Sequence, residues 1–220
     1  MDNMNFKNII KIYSERLEKY GVSQKTLGWD KNRGDLRFEI LNSRWDLNHS
    51  SILDFGCGFG DFYNFLINKG IKNFKYLGID VNEDLIKQAR QKYKKAEFKC
   101  INIFEEDLPN KYDYIFASGC FNDQMNENIS FIKTAFEKFN LYSKKGFGAN
   151  FLSSKAQYKY KHAFYSDPSF ITGLCYKYSN NVILRNDYMP FEFSVFVDKS
   201  MEYNRKLAVY NNFLNLNSSV

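Results

Sequence analysis

Apolar positions along this chain change period several times, and each change marks an element. Phe6, Ile9, Ile10, Tyr13, Leu17 and Tyr20 recur at helical spacing until Gly21 stops the pattern. A second helix is predicted over residues 35–45, with Leu36, Ile40 and Leu41 facing inward. The continuous apolar run over 51–55 reads as a buried parallel strand, and helical periodicity resumes from Phe62 to Ile67. Strands are then predicted over 74–80, 97–101, 112–117 and 146–151, with helices over 83–93 and 126–142 between them. The alternation predicts an α/β fold with a doubly wound sheet. Residues 153–178 break the rhythm: they are rich in Tyr, Lys and Ser and contain His162 and the turn Ser166-Asp167-Pro168. Two alternating runs follow at 182–185 and 191–197, and the tail over 200–220 has Leu207, Tyr210 and Leu214 at helical spacing.

The chemistry concentrates where the first strand ends, at Asp54-Phe55-Gly56-Cys57-Gly58-Phe59-Gly60-Asp61. A strand that breaks at glycines and restarts as a helix leaves backbone N–H groups facing a crevice, and a ligand can approach a backbone that carries no Cβ. The dinucleotide fingerprint Gly-x-Gly-x-x-Gly would need glycine at position 61, where Asp61 stands. A carboxylate there is a poor neighbour for a pyrophosphate. The second predicted strand ends in Asp80, placed to accept hydrogen bonds from both hydroxyls of a ribose. A 2′-phosphate would call for arginine, but Val81-Asn82-Glu83-Asp84 brings more acid. The alternative for Asp80, a helix N-cap, is better filled by Asn82.

The D-x-G-x-G-x-G loop followed by this acid resembles the class I S-adenosylmethionine (SAM)-dependent methyltransferases. That resemblance implies a Rossmann-like, mostly parallel seven-stranded sheet with an antiparallel last strand, under an N-terminal helical cap. It divides one methyltransferase domain into a cap (1–48), a SAM-binding core (49–152), a substrate-specificity insert (153–180), terminal strands (181–199) and a tail (200–220). It implies cofactor contacts from Asp54, Gly56, Cys57, Gly58 and Gly60, from Asp80 and Val81, and from Ala117 and Ser118 after the fourth strand. Asn102 and Ile103 match the adenine-binding position, where the family usually has Asp; the alternative is a strand-ending Asn in a turn. The leader from Tyr20-Gly21 through Leu27-Gly28-Trp29 to Arg37-Phe38 is similar to that of small, mostly uncharacterised bacterial methyltransferases. By that likeness Trp29 and Arg37 line the cofactor pocket, with Arg37 pairing the methionyl carboxylate; the alternative is a surface Arg on an amphipathic helix.

Composition narrows the partners. A net charge of +6 with 18% aromatic residues suits nucleic acid, but the lysines are dispersed and no block of like charge forms. The charge reads as a solvated surface that favours an anionic small-molecule acceptor. The fourth strand is followed by Ser118-Gly119-Cys120-Phe121-Asn122-Asp123 rather than the Asp/Asn-Pro-Pro-Tyr of amino-methylating DNA enzymes, which argues against nucleobase amines. Four scattered cysteines make neither a disulfide framework nor a metal site, and no apolar run is long enough to span a membrane. A cytoplasmic protein without a metal is expected, its oligomeric state open.

Methyl transfer from a sulfonium needs a nucleophile held about 3 Å from the methyl group, and a base only when the acceptor is a hydroxyl. His162 and Asp123 are the candidate bases, each with a surface role as the alternative. The sequence thus points to methylation of an oxygen (hydroxyl, carboxylate or phosphoryl-type), with S-adenosylhomocysteine (SAH) as product. Similar leaders in bacterial surface-glycan gene clusters suggest a glycan precursor. RNA or protein methylation, SAM binding without catalysis, and NAD(P) oxidoreduction are the alternatives.

Overall fold

The computed structural model describes residues 6–28, 33–211 and 213. Two helices, α1 (Lys7–Tyr20) and α2 (Arg33–Asn42), precede the sheet. The core then runs β1 (Ser51–Phe55), α3 (Asp61–Asn68), β2 (Lys75–Asp80), α4 (Glu83–Lys92), β3 (Glu97–Cys100), β4 (Tyr112–Ala117), α5 (Asn128–Tyr142) and β5 (Ser143–Leu152). Helix α6 (Pro168–Cys175), β6 (Asn181–Arg185) and β7 (Glu192–Asp198) complete it, and β8 (Tyr203–Asn204) pairs with β9 (Val209–Tyr210) outside the main sheet.

The main sheet has seven strands in the order β3-β2-β1-β4-β5-β7-β6. β1 to β5 pair in parallel, while β7 runs antiparallel to both β5 and β6. This is the doubly wound architecture expected, with the antiparallel strand last in sequence. The order reverses between β1 and β4, so the chains leaving their carboxyl ends diverge and open a crevice there.

Apolar residues pack on both faces of the sheet. One face holds a cluster of phenylalanines from β1, α5 and β5; the other holds Leu41, Phe62, Ile86 and Phe116 from α2, α3, α4 and β4, with Trp45 from the segment before β1. Phe121, just after β4, is the hub of the first cluster. Its ring stacks on Phe151 at 5.0 Å and Phe55 at 6.2 Å, and Phe131 lies 5.2 Å away. Such ring pairs add roughly 0.5–1.5 kcal/mol each beyond the area they bury.

Three expected elements differ. The second helix ends at Asn42, and Trp45 lies beyond it, stacked on Tyr114 at 4.8 Å with its indole N–H donating to Asp198. The insert contains a helix because Asp167 caps it, accepting from Phe170 N at 3.0 Å, and Pro168 supplies its first residue. In the tail, Asn204 accepts from Lys206 N and Leu207 N and turns the chain into the β8–β9 hairpin, with Ala208 at φ 53°. The helical spacing of Leu207 and Tyr210 is therefore not used; Leu214 lies outside the described residues.

Phe121→Ala should cost about 3–5 kcal/mol of stability in denaturant unfolding, as for other large core truncations. Phe121→Leu should cost clearly less. Equal midpoints for Phe121→Ala and the parent chain would refute the hub role.

Candidate active site

The glycine loop is an extension of strand pairing. Past the end of β1, the N–H groups of Gly56 and Cys57 both reach Ile79 O of β2 at 2.9 Å, and Gly58 N donates to Asp80 Oδ2 at 3.0 Å. Gly56, Gly58 and Gly60 all have positive φ, which side chains other than glycine rarely adopt. A Cβ on Gly58 would touch Leu27 at 3.0 Å, and one on Gly60 would lie 2.5 Å from the Phe98 ring. The loop thus fits tightly between the leader and β3.

A cavity of about 1050 Å³, its open mouth included, lies against this loop. Asp54, Gly56, Cys57 and Gly58 form its floor. Asp80 and Val81 follow from β2, Asn102 and Ile103 from the end of β3, and Ser118 from the end of β4. Its charge is one-sided. Asp54, Asp61, Asp80 and Asp123 all line it, and no Lys, Arg or His does among the described residues. Desolvation raises the Asp80 carboxyl, while the N–H groups of Asn82, Gly58 and Val81 counter the rise.

Helix α1 covers the cavity with Ile9, Ile10 and Tyr13, and Phe6 just before it adds to the cover. Side-chain hydrogen bonds fasten it at the start of α4 and after β4. Asn82 Nδ2 donates to Ile10 O and Ser14 Oγ, each at 3.1 Å, and Tyr13 donates to Asp123 Oδ2 at 2.7 Å. Burial pushes the Tyr13 hydroxyl well up, and the Asp123 charge adds to the rise. Beyond this hydrogen bond lies a second, wider cavity that shares Tyr13, Leu27, Gly119 and Asp123 with the first. The insert forms its far wall. Asp123 bridges to Ala163, and Phe164 N donates to Asn122 O at 2.8 Å, which folds residues 160–165 back along the segment after β4.

Residues 46–173 match a family profile described as a methyltransferase domain. A protein of Mycobacterium tuberculosis with a provisional methyltransferase name is 32% identical over 160 residues, covering 68% of this chain and 93% of the relative. The chain belongs to the class I SAM-dependent methyltransferases. The DhpI–SAH complex aligns with a TM-score of 0.63 at 10% identity, covering 85% of this chain and 93% of that one. Human N-acetylserotonin methyltransferase in complex with SAM aligns at 0.64 and 15% identity, covering 88% and 58%. At such identities the likeness is one of fold. SAM is this methyltransferase's cofactor, and an acid-walled, glycine-floored cavity suits a ligand that carries a sulfonium and an ammonium group.

Most residues expected to contact the cofactor line the first cavity of the methyltransferase, but three lie elsewhere. Gly60 is turned toward Phe98, and Ala117 is fully buried in the sheet. Arg37 lines the second cavity, and its Nε donates to Glu192 Oε2 at 2.7 Å within a buried ion pair. It is neither a surface residue nor part of the first cavity. Trp29 lies outside the described residues. Asn102 lines the first cavity, but its Oδ1 already accepts from Phe104 N at 3.2 Å. Of the candidate bases, Asp123 stands at the junction of the cavities, and His162 is exposed on the rim of the second with its ring stacked on Tyr160. Among the described residues no three His, Cys, Asp or Glu side chains converge as metal ligands, and no helix is long and apolar enough to cross a membrane. In the sequence Tyr13 is one position of an apolar face; its partner is 110 residues away, and no local signal announces it.

Asp54 is a buried carboxyl whose ionisation bears on the stability of the methyltransferase. It sits on a buried central strand, 2% exposed, and takes a hydrogen bond from Tyr76 at 2.5 Å. Removal from water pushes its carboxyl up to about 7; Asp80 and Asp61 add to the rise and Tyr76 opposes it. An unfolded Asp ionises near pH ~4, so the folded chain loses stability as pH climbs from there through the raised value. Asp54→Asn escapes that loss. It should gain on the parent between pH ~4 and ~7 and keep a lead of up to about 4 kcal/mol above. Superimposable stability–pH curves from chemical denaturation would contradict this.

Proposed function

We propose that this methyltransferase moves the methyl group of SAM to an oxygen of a small polar acceptor held in the second cavity. The observation that carries the reading is the junction: the two cavities meet at one carboxylate, Asp123, hydrogen-bonded to Tyr13. When bound, SAM supplies a methyl group already activated by its sulfonium. The protein's task is then positioning, which can contribute roughly 7–11 kcal/mol.

In this reading Asp80 accepts from the ribose hydroxyls. Both its oxygens already take loop N–H groups, from Gly58 and Asn82, but each has a second lone pair. Asp54 faces the ammonium group, with the backbone of Gly56 and Gly58 beneath the methionyl chain. Asn102 and the Ile103 N–H serve the adenine, and Val81 and Ser118 flank the nucleoside. Asp123 takes the proton of an acceptor hydroxyl, and its bond to Tyr13 fixes its orientation. His162 on the rim serves acceptor entry or a second proton path. A surface-glycan precursor would suit the second cavity, whose lining is more polar than that of the first.

Calorimetry should give SAH binding to the parent chain and about tenfold or greater weakening in Asp80→Ala, from the lost ribose hydrogen bonds. Methyl-labelled SAM, incubated with a panel of small metabolites and sugar nucleotides and read by mass spectrometry, should label an oxygen. Asp123→Asn should then lower kcat by about 10²–10⁴ for a hydroxyl acceptor, with SAH affinity retained. Undiminished SAH binding by Asp80→Ala, or a labelled product carrying the methyl group on nitrogen or carbon, would overturn these assignments.

A further inference from the structure

The two adjoining cavities carry opposite charge. Against the four aspartates of the first, the second is lined by Arg16, Arg37, Lys155 and His162, with Asp123 as its only carboxylate among the described residues. These basic groups are engaged differently. The Arg37 guanidinium is held by buried Glu192, and Lys155 lies 3.2 Å from Asp167 at the exposed lip. Arg16 has no carboxylate within ion-pair distance among the described residues. Stacking and close fit hold it instead. Its guanidinium carbon lies 5.2 Å from the centre of the Tyr13 ring, and Nη1 would be 3.2 Å from a Cβ on Gly28, whose φ is +73°. A larger residue at 28 would crowd this guanidinium. Arg16 is therefore a half-buried planar cation one helical turn from Tyr13, beside the point where the cavities meet.

We propose that the acceptor carries an acidic group, carboxylate or phosphoryl, and that Arg16 receives it. This deepens the function proposed above and rests on it. A guanidinium presents paired donors that match either acid in bidentate fashion, and partial burial strengthens the contact over one made in open water. Anchored there, the acceptor would hold its reacting oxygen toward Asp123 and the first cavity. The charge pattern also sorts the two ligands: a cationic sulfonium is favoured on one side of the Tyr13–Asp123 bond and an anion on the other.

The test uses the SAH-loaded chain at constant ionic strength, titrated with inorganic phosphate and separately with propionate, read by melting temperature. One or both anions should raise the melting temperature of the parent complex, and the larger response identifies the phosphoryl or the carboxylate class. Arg16→Gln should weaken the response to that anion about tenfold and Arg16→Lys less, as expected for loss of a charge-assisted bidentate contact, while both bind SAH as the parent does. Lys155→Gln should change it little. Parent-like anion responses in Arg16→Gln would overturn this inference and leave the methyl-transfer reading intact. Weakened SAH binding in Arg16→Gln would assign the guanidinium to the cofactor and overturn it too. Failure of the parent chain to bind SAH would overturn both.

Discussion

The structure depends on parallel pairing between two central strands that continues after one of them has ended. Ile79 O receives both Gly56 and Cys57, so the glycine loop is held by the same backbone hydrogen bonds that build the sheet. Asp80 then takes Gly58 on one oxygen and Asn82 on the other, joining this loop to the one that opens α4. The floor of the first cavity is therefore tied into the sheet's centre. Backbone groups buried there have protein partners before any ligand arrives, which limits the reorganisation that binding requires.

Above this floor, electrostatics and shape divide the work. The acid wall beside the loop is costly for the empty protein, as the raised Asp54 carboxyl records, and a cationic ligand relieves that cost. The basic residues stand on the other side of Tyr13, on α1, α2 and the insert. Charge separation over so short a span needs elements that are distant in sequence, and the fold supplies them by bringing α1 and the insert together at the segment after β4.

Local chemistry made the sheet legible. Runs such as 51–55 and 112–117 need no distant information to be read as buried strands, and the glycine spacing after β1 is required by backbone conformation. Asp80 and Asn82 were legible for the same reason, since a strand-ending acid and a helix cap are each decided within a few residues. Arg37 was not. Its partner Glu192 is 155 residues away, and nothing near either residue announces a buried ion pair. The spacing of Gly60 suggests room for a ligand, whereas the space is taken by Phe98 from a strand two places along the sheet. The tail failed differently: helical spacing of a few apolar residues was outweighed by the turn chemistry of Asn204.

Asn82 carries a consequence of its own. Its oxygen accepts from Asp84 and Leu85 to start α4, while its nitrogen donates to α1. An aspartate would begin the helix equally well but has no donor when ionised. The amide thus makes one side chain both a foundation of the core and a fastening of its cover, so the way into the first cavity is tied to a residue that cannot shift without unsettling the helix it begins.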